Sequence, residues 1–294
     1  FAYPEKGNPG CGGTEFLIAS LPYYFNKFSK QEHRSVVYTS GPALSSVWCE
    51  SVKIQNVCEA ALRAVADGCD FFIYRPLRHS QDDLLELFSN HKIIAIPWLH
   101  VTPTDRHLRK MAKVKNIKAL VCVEHEQHES IRDAPIFNQL TYIVNGFDFD
   151  GFQPRTLISR KSDLVVHVGA LEDQKDFRLL AKAWPYVIKR CPWARLVVIG
   201  SSQVYNQNVQ LGSLGIASKR FENLFIRPYL CDYSGNVIPS VKFLGKLGSE
   251  KNIILAEASI GIPTPSGQNE NCPGVVLEML ASGVPVVSTA NTGL

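Results

Sequence analysis

No run of about 18 apolar residues, the length a membrane-spanning helix needs, occurs anywhere in the 294-residue sequence. No basic-then-apolar stretch opens it, so no secretory leader is expected. The eight cysteines are scattered, with no Cys-x-x-Cys pair. That favours reduced thiols in a cytoplasmic protein over a disulfide frame or a zinc site. A Gly-x-Gly-x-x-Gly element is missing, which counts against a dinucleotide-binding oxidoreductase. Internal repeats and nucleic-acid motifs are missing too.

What is present is ordinary in bulk, with 45% apolar and 20% charged residues, and long enough for two domains with separate cores. Charge is divided unevenly. Residues 1–154 carry 16 Lys+Arg against 17 Asp+Glu, net −1, and residues 155–294 carry 15 against 10, net +5. A basic second half suits an anionic ligand such as a nucleotide diphosphate.

Near the start, Gly7-Asn-Pro-Gly-Cys-Gly-Gly-Thr-Glu15 leads into a helix with Phe16, Leu17, Ala19 and Leu21. Gly10, Gly12 and Gly13 let a backbone approach a ligand closely, although a tight turn without a ligand reads equally well. Strands and helices then alternate: Ser35–Thr39, helix 54–66, Asp70–Tyr74, helix 81–88 and Lys92–Ile96. This is the rhythm of a parallel α/β sheet. His100 follows a strand's carboxyl end, where open sheets keep their ligands. Residues 105–118 are a basic amphipathic candidate, with Arg106, Arg109, Lys110 and Lys113 on one face. A solvated outer helix and a helix docked on an anionic membrane surface both fit. His125 and His128 lack a third partner for a metal, and Asp148-Phe-Asp150 reads as a turn and linker after the strand Thr141–Val144. A second alternation opens with the buried strand Asp163–Gly169, a helix over 177–189 and the strand Arg195–Gly200.

The most informative stretch runs from Ile262 to Ser288. Pro263, Pro265 and Gly267 make a loop, and Pro273 suits a first helical position. Val276, Leu277, Leu280 and Ala281 recur at helical spacing, Gly283 ends the helix, and 284–288 returns as a strand. A helix entered this way offers unpaired amides and the positive end of its dipole as a phosphate seat. Glu270 and Glu278 bracket that seat with seven residues between them. Eight helical steps would turn one roughly 80° from the other, so they are expected to do separate jobs.

Pro265-Ser266, Glu270, Glu278, Ser282-Gly283 and Pro285-Val286-Val287 together closely resemble the Glu-x7-Glu signature of retaining glycosyltransferases with the GT-B fold, most like glycosyltransferase family four. Support comes from Asn145-Gly-x-Asp…Phe152-x-Pro154, from 164–175 and from Val241–Gly245. The resemblance implies two doubly wound, Rossmann-like α/β domains facing a cleft. Residues 1–154 would form the acceptor side, and 155–294 an incomplete donor domain with its C-terminal end truncated.

It further implies transfer of a sugar from a nucleotide diphosphate sugar to an acceptor hydroxyl of a glycan, lipid-linked or small molecule, with retention at the anomeric carbon. No metal or other cofactor and no nucleic-acid partner are expected. Glu270, Lys175 and His100 are the expected catalytic residues. Glu278 would hold the ribose, the amides of Asn271, Cys272, Pro273–Gly274 and Val275 the diphosphate side, and Gly245, Lys246 and Leu247 the base. Gly10, Gly12 and Gly13 would face the cleft. Two departures stand out: Ala170 occupies the place of the family's phosphate-clamping arginine, with Arg178 a candidate substitute, and Asp176 stands where the family has glycine. Two other readings stay open, a non-catalytic glycosyltransferase-like binding subunit and a GT-B-shaped nucleotide-sugar epimerase.

Overall fold

The computed structural model describes residues 4, 7–41, 47–77, 81–146, 149, 152, 160–263 and 271–289, with Gln174 described by its backbone alone. Glu270, Asp148 and Asp150 lie outside the described residues. The described residues group into two compact units. One is Leu17–Gly146, and the other is made of the described parts of Tyr3–Phe16 and Phe147–Thr292.

In the first unit, helix α1 (Gly13–Phe28) precedes the strands β1 (Val36–Thr39) and β2 (Glu50–Lys53), which pair in parallel. The sequence pattern misses β2, because Glu50-Ser-Val-Lys53 has no apolar alternation and both its ends are exposed. Pairing with β1 makes it a strand. Helix α2 (Val57–Ala66) starts where its local chemistry predicts. The Asn56 side chain accepts from the Glu59 amide, and Glu59 reaches back to the Gln55 amide. Four parallel strands follow in spatial order: β3 (Phe71–Tyr74), β4 (Ile94–Leu99), β5 (Leu120–Cys122) and β6 (Leu140–Tyr142). Helices α3 (Asp82–Asn90), α4 (Asp105–Met111) and α5 (His125–Ser130) make the crossovers. Phe88, Leu99, Leu108, Met111 and Leu120 anchor the core with no exposed surface.

The basic segment 105–118 is not one amphipathic helix. It stops at Met111, because Ile117 is drawn into a parallel bridge with Ala95 of β4, and the Ala95 amide donates to Asn116. The Asn116 side chain donates to the carbonyls of Phe88 and His91, locking the turn. Lys110, expected on the free basic face, instead pairs with Asp82 of α3 at 2.5 Å. Among the described residues no helix is long and apolar enough to cross a membrane.

The second unit is built on β7 (Leu164–Val168), every residue of which is buried. It pairs in parallel with β8 (Arg195–Ile199) on one side and β10 (Ile260–Gly261) on the other, and β8 pairs with β9 (Val241–Phe243). A further parallel bridge joins Gly261 to Val286. Reading across, β9, β8 and β7 run backwards in chain order, and the order then jumps to β10 and Val286. This is a doubly wound sheet with its switch point between β7 and β10. Side chains alternate across β7. Val165 joins one core with Leu196, Val198 and the α6 (Phe177–Arg190) residues Phe177, Leu180, Ala181 and Trp184. Leu164, Val166 and Val168 join another with Leu255 of α9 (Lys251–Glu257) and Met279 of α10 (Gly274–Ala281). A strand apolar on both faces is what a sheet covered by two helix layers requires.

Between β8 and β9 the chain takes an irregular path, then a short helical run with α7 (Lys219–Phe221), a π-helical turn and α8 (Arg227–Leu230). Glu222 organises it. Buried to 1% exposure, its carboxylate accepts from the amides of Leu214, Ile216 and Ala217 at 2.9–3.2 Å. Replacing Glu222 with Ala strands three buried donors, so Glu222→Ala should lower stability by about 3 kcal/mol while Glu222→Gln loses less. Urea unfolding of the two variants against the parent checks the order.

Candidate functional site

The carboxyl ends of β7, β8, β9 and β10 converge on one edge of the second unit's sheet. Backbone there approaches backbone. Gly200, with φ +147°, lies so close to Gly169 that a Cβ on it would fall 1.7 Å from the Gly169 carbonyl oxygen. The Gly169 amide donates to Ile199, and the Gly200 amide donates to Gly245, which itself has φ +68°. No larger residue at position 200 could let these strand ends approach so closely.

The glycine loop belongs to this unit. The Asn8 carboxamide oxygen accepts from the amides of Gly10 and Cys11, an Asx turn that folds the loop on itself. Gly10 has φ +90°, and a Cβ there would meet the Leu247 carbonyl oxygen at 3.1 Å. One on Gly12 would lie 3.2 Å from the Tyr205 ring. Gly10 therefore packs closely on the segment that holds Lys246 and Leu247, while Gly12 lies nearest the Glu15 carboxylate. Gly13 has open space around it among the described residues and begins α1.

Helix α10 starts one residue later than expected. Pro273 is its N-cap, with ψ 119°, rather than its first helical residue, because Cys272 turns the chain through the left-handed region at φ +48°. The amides of the first turn face outward as in any helix. Gly274 is exposed, with no described atom within 4 Å of a built Cβ.

Glu278, one and a quarter turns on, is not a solvated glutamate. It is 8% exposed, and its Oε1 lies 3.1 Å from Nζ of Lys251, itself 4% exposed. Burial pushes the Glu278 carboxyl above its usual range, and the Lys251 ammonium opposes the shift. Oε2 is buried without a hydrogen-bond partner among the described residues. A stranded charged oxygen of this kind costs on the order of 1–3 kcal/mol. Lys251 also lies 5.6 Å from the Phe152 ring centroid. It is near enough to Cys11 of the glycine loop to oppose the rise of that thiol to about 11, which burial causes and Glu15 reinforces.

Lys175 ends a short 3-10 turn, Asp173–Lys175, and is half-buried. Its charge reaches His167 and Glu172, lowering the pKa of each, though burial is the larger influence on both. Arg178, the candidate replacement for the arginine absent at Ala170, is held by Asp176 at 2.7 Å. Ala170 is buried at 3% exposure. His100 sits at the carboxyl end of β4 in the other unit, where burial, with the Arg75 cation adding, lowers it to about 4. Its ring lies 4.6 Å from Trp98. His125 and His128 both pack against Tyr142, and His128 lies 2.9 Å from Glu129. Among the described residues no three metal-ligating side chains gather.

Sequence reasoning missed Lys251, Asp176 and His167. Lys251 had a signal: it stands four residues before buried Leu255, on the inward stripe of α9, where a lysine is out of place. Asp176 takes φ +52°, which nothing in its neighbours announces.

Comparison with known proteins agrees with this geometry. Residues 162–294 match the family model described as glycosyl transferases group 1, which is less than half of the chain. No curated protein matches. Among solved structures, an alpha-glucosyltransferase in complex with UDP and a mismatch-containing 13-mer DNA aligns with TM-score 0.60 at 14% identity, over 95% of this chain and 76% of that one. The pneumococcal O-GlcNAc transferase GtfA, in complex with UDP and GlcNAc, aligns at 0.55 and 12%, over 78% and 44%. TarM aligns at 0.54 and 15%, over 80% and 45%. The chain thus spans less than half the length of two of these three. The fold is GT-B, of mixed α/β units with parallel sheets.

His167 supplies a pH test of this sheet. Its Nδ1 lies 2.7 Å from the Ile262 carbonyl oxygen and donates to it, tying β7 to the end of β10, and burial lowers its pKa from 6.5 to about 4. A base with a depressed folded pKa contributes stability that is full above the unfolded value and lost as pH falls toward the folded one. Between pH 7 and 4.5 the protein should therefore lose about 2 kcal/mol through His167. His167→Asn keeps a donor near Ile262 but cannot titrate, so its urea midpoint should fall less over that range. Parallel pH curves for the two proteins would refute the assignment.

Proposed function

We propose that this chain carries the catalytic core of a retaining glycosyltransferase that moves a sugar from a nucleotide diphosphate sugar to an acceptor hydroxyl. The observation that carries the reading is the seat at the switch-point edge. A helix start at the exposed Gly274 stands beside a buried carboxylate, Glu278, one oxygen of which has no partner among the described residues, within the region that matches the group 1 glycosyl transferases. Open α/β sheets bind ligands at that edge. The similar structures named in complex with UDP make it the first nucleotide to test.

In this reading the amides at Cys272–Val275, with Lys175, hold the diphosphate and stabilise the charge it gains on leaving. Glu278 accepts from the ribose hydroxyls. Gly245, Lys246 and Leu247 lie against the base, and Glu270 lies beside the donor sugar. His100 comes from the acceptor side. The bond from the anomeric carbon to the diphosphate oxygen breaks, and the acceptor oxygen bonds that carbon on the same face. The acceptor's hydroxyl proton passes to the departing phosphate. Cations and amides of the chain do the work that a metal does elsewhere, so activity should survive EDTA, and complete loss restored by manganese would overturn the point.

Ala170 and the engagement of Arg178 by Asp176 favour one rival, a non-catalytic nucleotide-sugar-binding subunit. Both readings expect binding and only one expects turnover. Glu278→Ala should weaken nucleoside diphosphate binding by about tenfold or more, the worth of a charge-assisted hydrogen bond. Glu270→Ala should instead leave binding near the parent's and lower turnover. Calorimetry and donor consumption separate the two residues; the reverse order would sink the roles, and binding without any turnover would select the subunit.

A further inference from the structure

The buried lysine against Glu278 is poorly explained by stability. Lys251 opens α9 at the positive end of the helix dipole, where a cation is disfavoured. It stands on the stripe that buries Leu255. Two charges taken out of water recover their desolvation cost only when their remaining hydrogen-bonding capacity is met, and well-packed apolar residues commonly do as well. Here Glu278 Oε1 faces Lys251 at 3.1 Å while Oε2 has no partner. The pair is therefore half completed, on the carboxylate that the proposed function assigns to the nucleotide.

We propose that Lys251 is a positioning residue of the nucleotide seat. Its ammonium keeps Glu278 ionised in a buried place and fixes the carboxylate through Oε1, leaving Oε2 to accept from the ribose hydroxyls. The Phe152 ring, 5.6 Å from the ammonium, confines the lysine on another side. Among the described residues Glu278 is the carboxylate that the ammonium pairs with, at 3.1 Å. This inference rests on the ribose role given to Glu278 above.

The ribose hydroxyls provide the test. Calorimetry with UDP, GDP and ADP, each beside its 2′,3′-dideoxy form, identifies the nucleotide that the parent chain binds most tightly and the share due to the hydroxyls. Lys251→Met, of similar length and uncharged, should weaken binding of that nucleotide by about tenfold. It should leave the dideoxy form within about twofold, because that form has no hydroxyls to lose. Lys251→Met/Glu278→Gln restores a neutral, matched pair and guards against misfolding. It should melt near the parent and still show the weakened, hydroxyl-independent binding. Equal losses for both nucleotide forms, or parent-like affinity in Lys251→Met, would overturn the role of Lys251. If Glu278→Gln alone binds as the parent does, or if no nucleotide binds the parent chain, the ribose assignment fails first and this inference with it.

Discussion

β7 is the constraint on which the second unit depends. Its residues Leu164–Val168 are all buried, and they alternate between two separate apolar cores. A strand with no wettable face cannot lie at an edge, so strands must pair on both its sides and helices must cover both its surfaces. Filling one flank with β8 and β9 and the other with β10 reverses the direction of winding beside β7. The reversal of winding at that edge is a consequence of burying β7, and Gly200 lets the ends of β7 and β8 close in on each other there.

Charge placement follows from the same enclosure. A carboxylate on α10 that points toward the core has to bring a counterion with it, and Lys251 is that counterion. His167, in the middle of β7, solves the problem differently. Burial holds it neutral, and its Nδ1–H donates to a carbonyl of the neighbouring strand end. Glu222 takes a third course, staying in contact with three backbone amides and thereby fixing a long irregular segment. Each is a polar side chain in a dry place, and each has found a distinct partner. Among the described residues Glu278 Oε2 and His167 Nε2 stay buried without a partner, and Glu278 is the one of the two on the helix that opens at Gly274.

Some of this was legible from residue order alone. The alternation of strands and helices, the buried run of β7, the helix at 274–281 with Gly283 ending it, and the bracketing glutamates are local patterns, set by periodicity and by turn chemistry. The resemblance of 262–288 to a glycosyltransferase signature is local as well. It rests on residues close in the chain, within the region that the family model matches.

Other features came only from tertiary contact. Residues 50–53 carry no strand pattern and become β2 through hydrogen bonds to β1. The basic run beyond Met111 had helical periodicity, yet Ile117 left the helix because pairing with Ala95 and burial in the core outweighed local propensity. Gly10 lies against the Leu247 carbonyl, some two hundred positions away, a contact that no local pattern shows. Glu278 could be assigned a role from its motif, but its burial and its partner could not be read there. Lys251 precedes it by 27 positions, and no spacing rule joins two helices through a sheet. Periodicity acts over a few residues, so sequence by itself determined the elements and the motif. Which side chains lose water together is settled only when distant segments pack, and that decided the ion pair at the centre of the site.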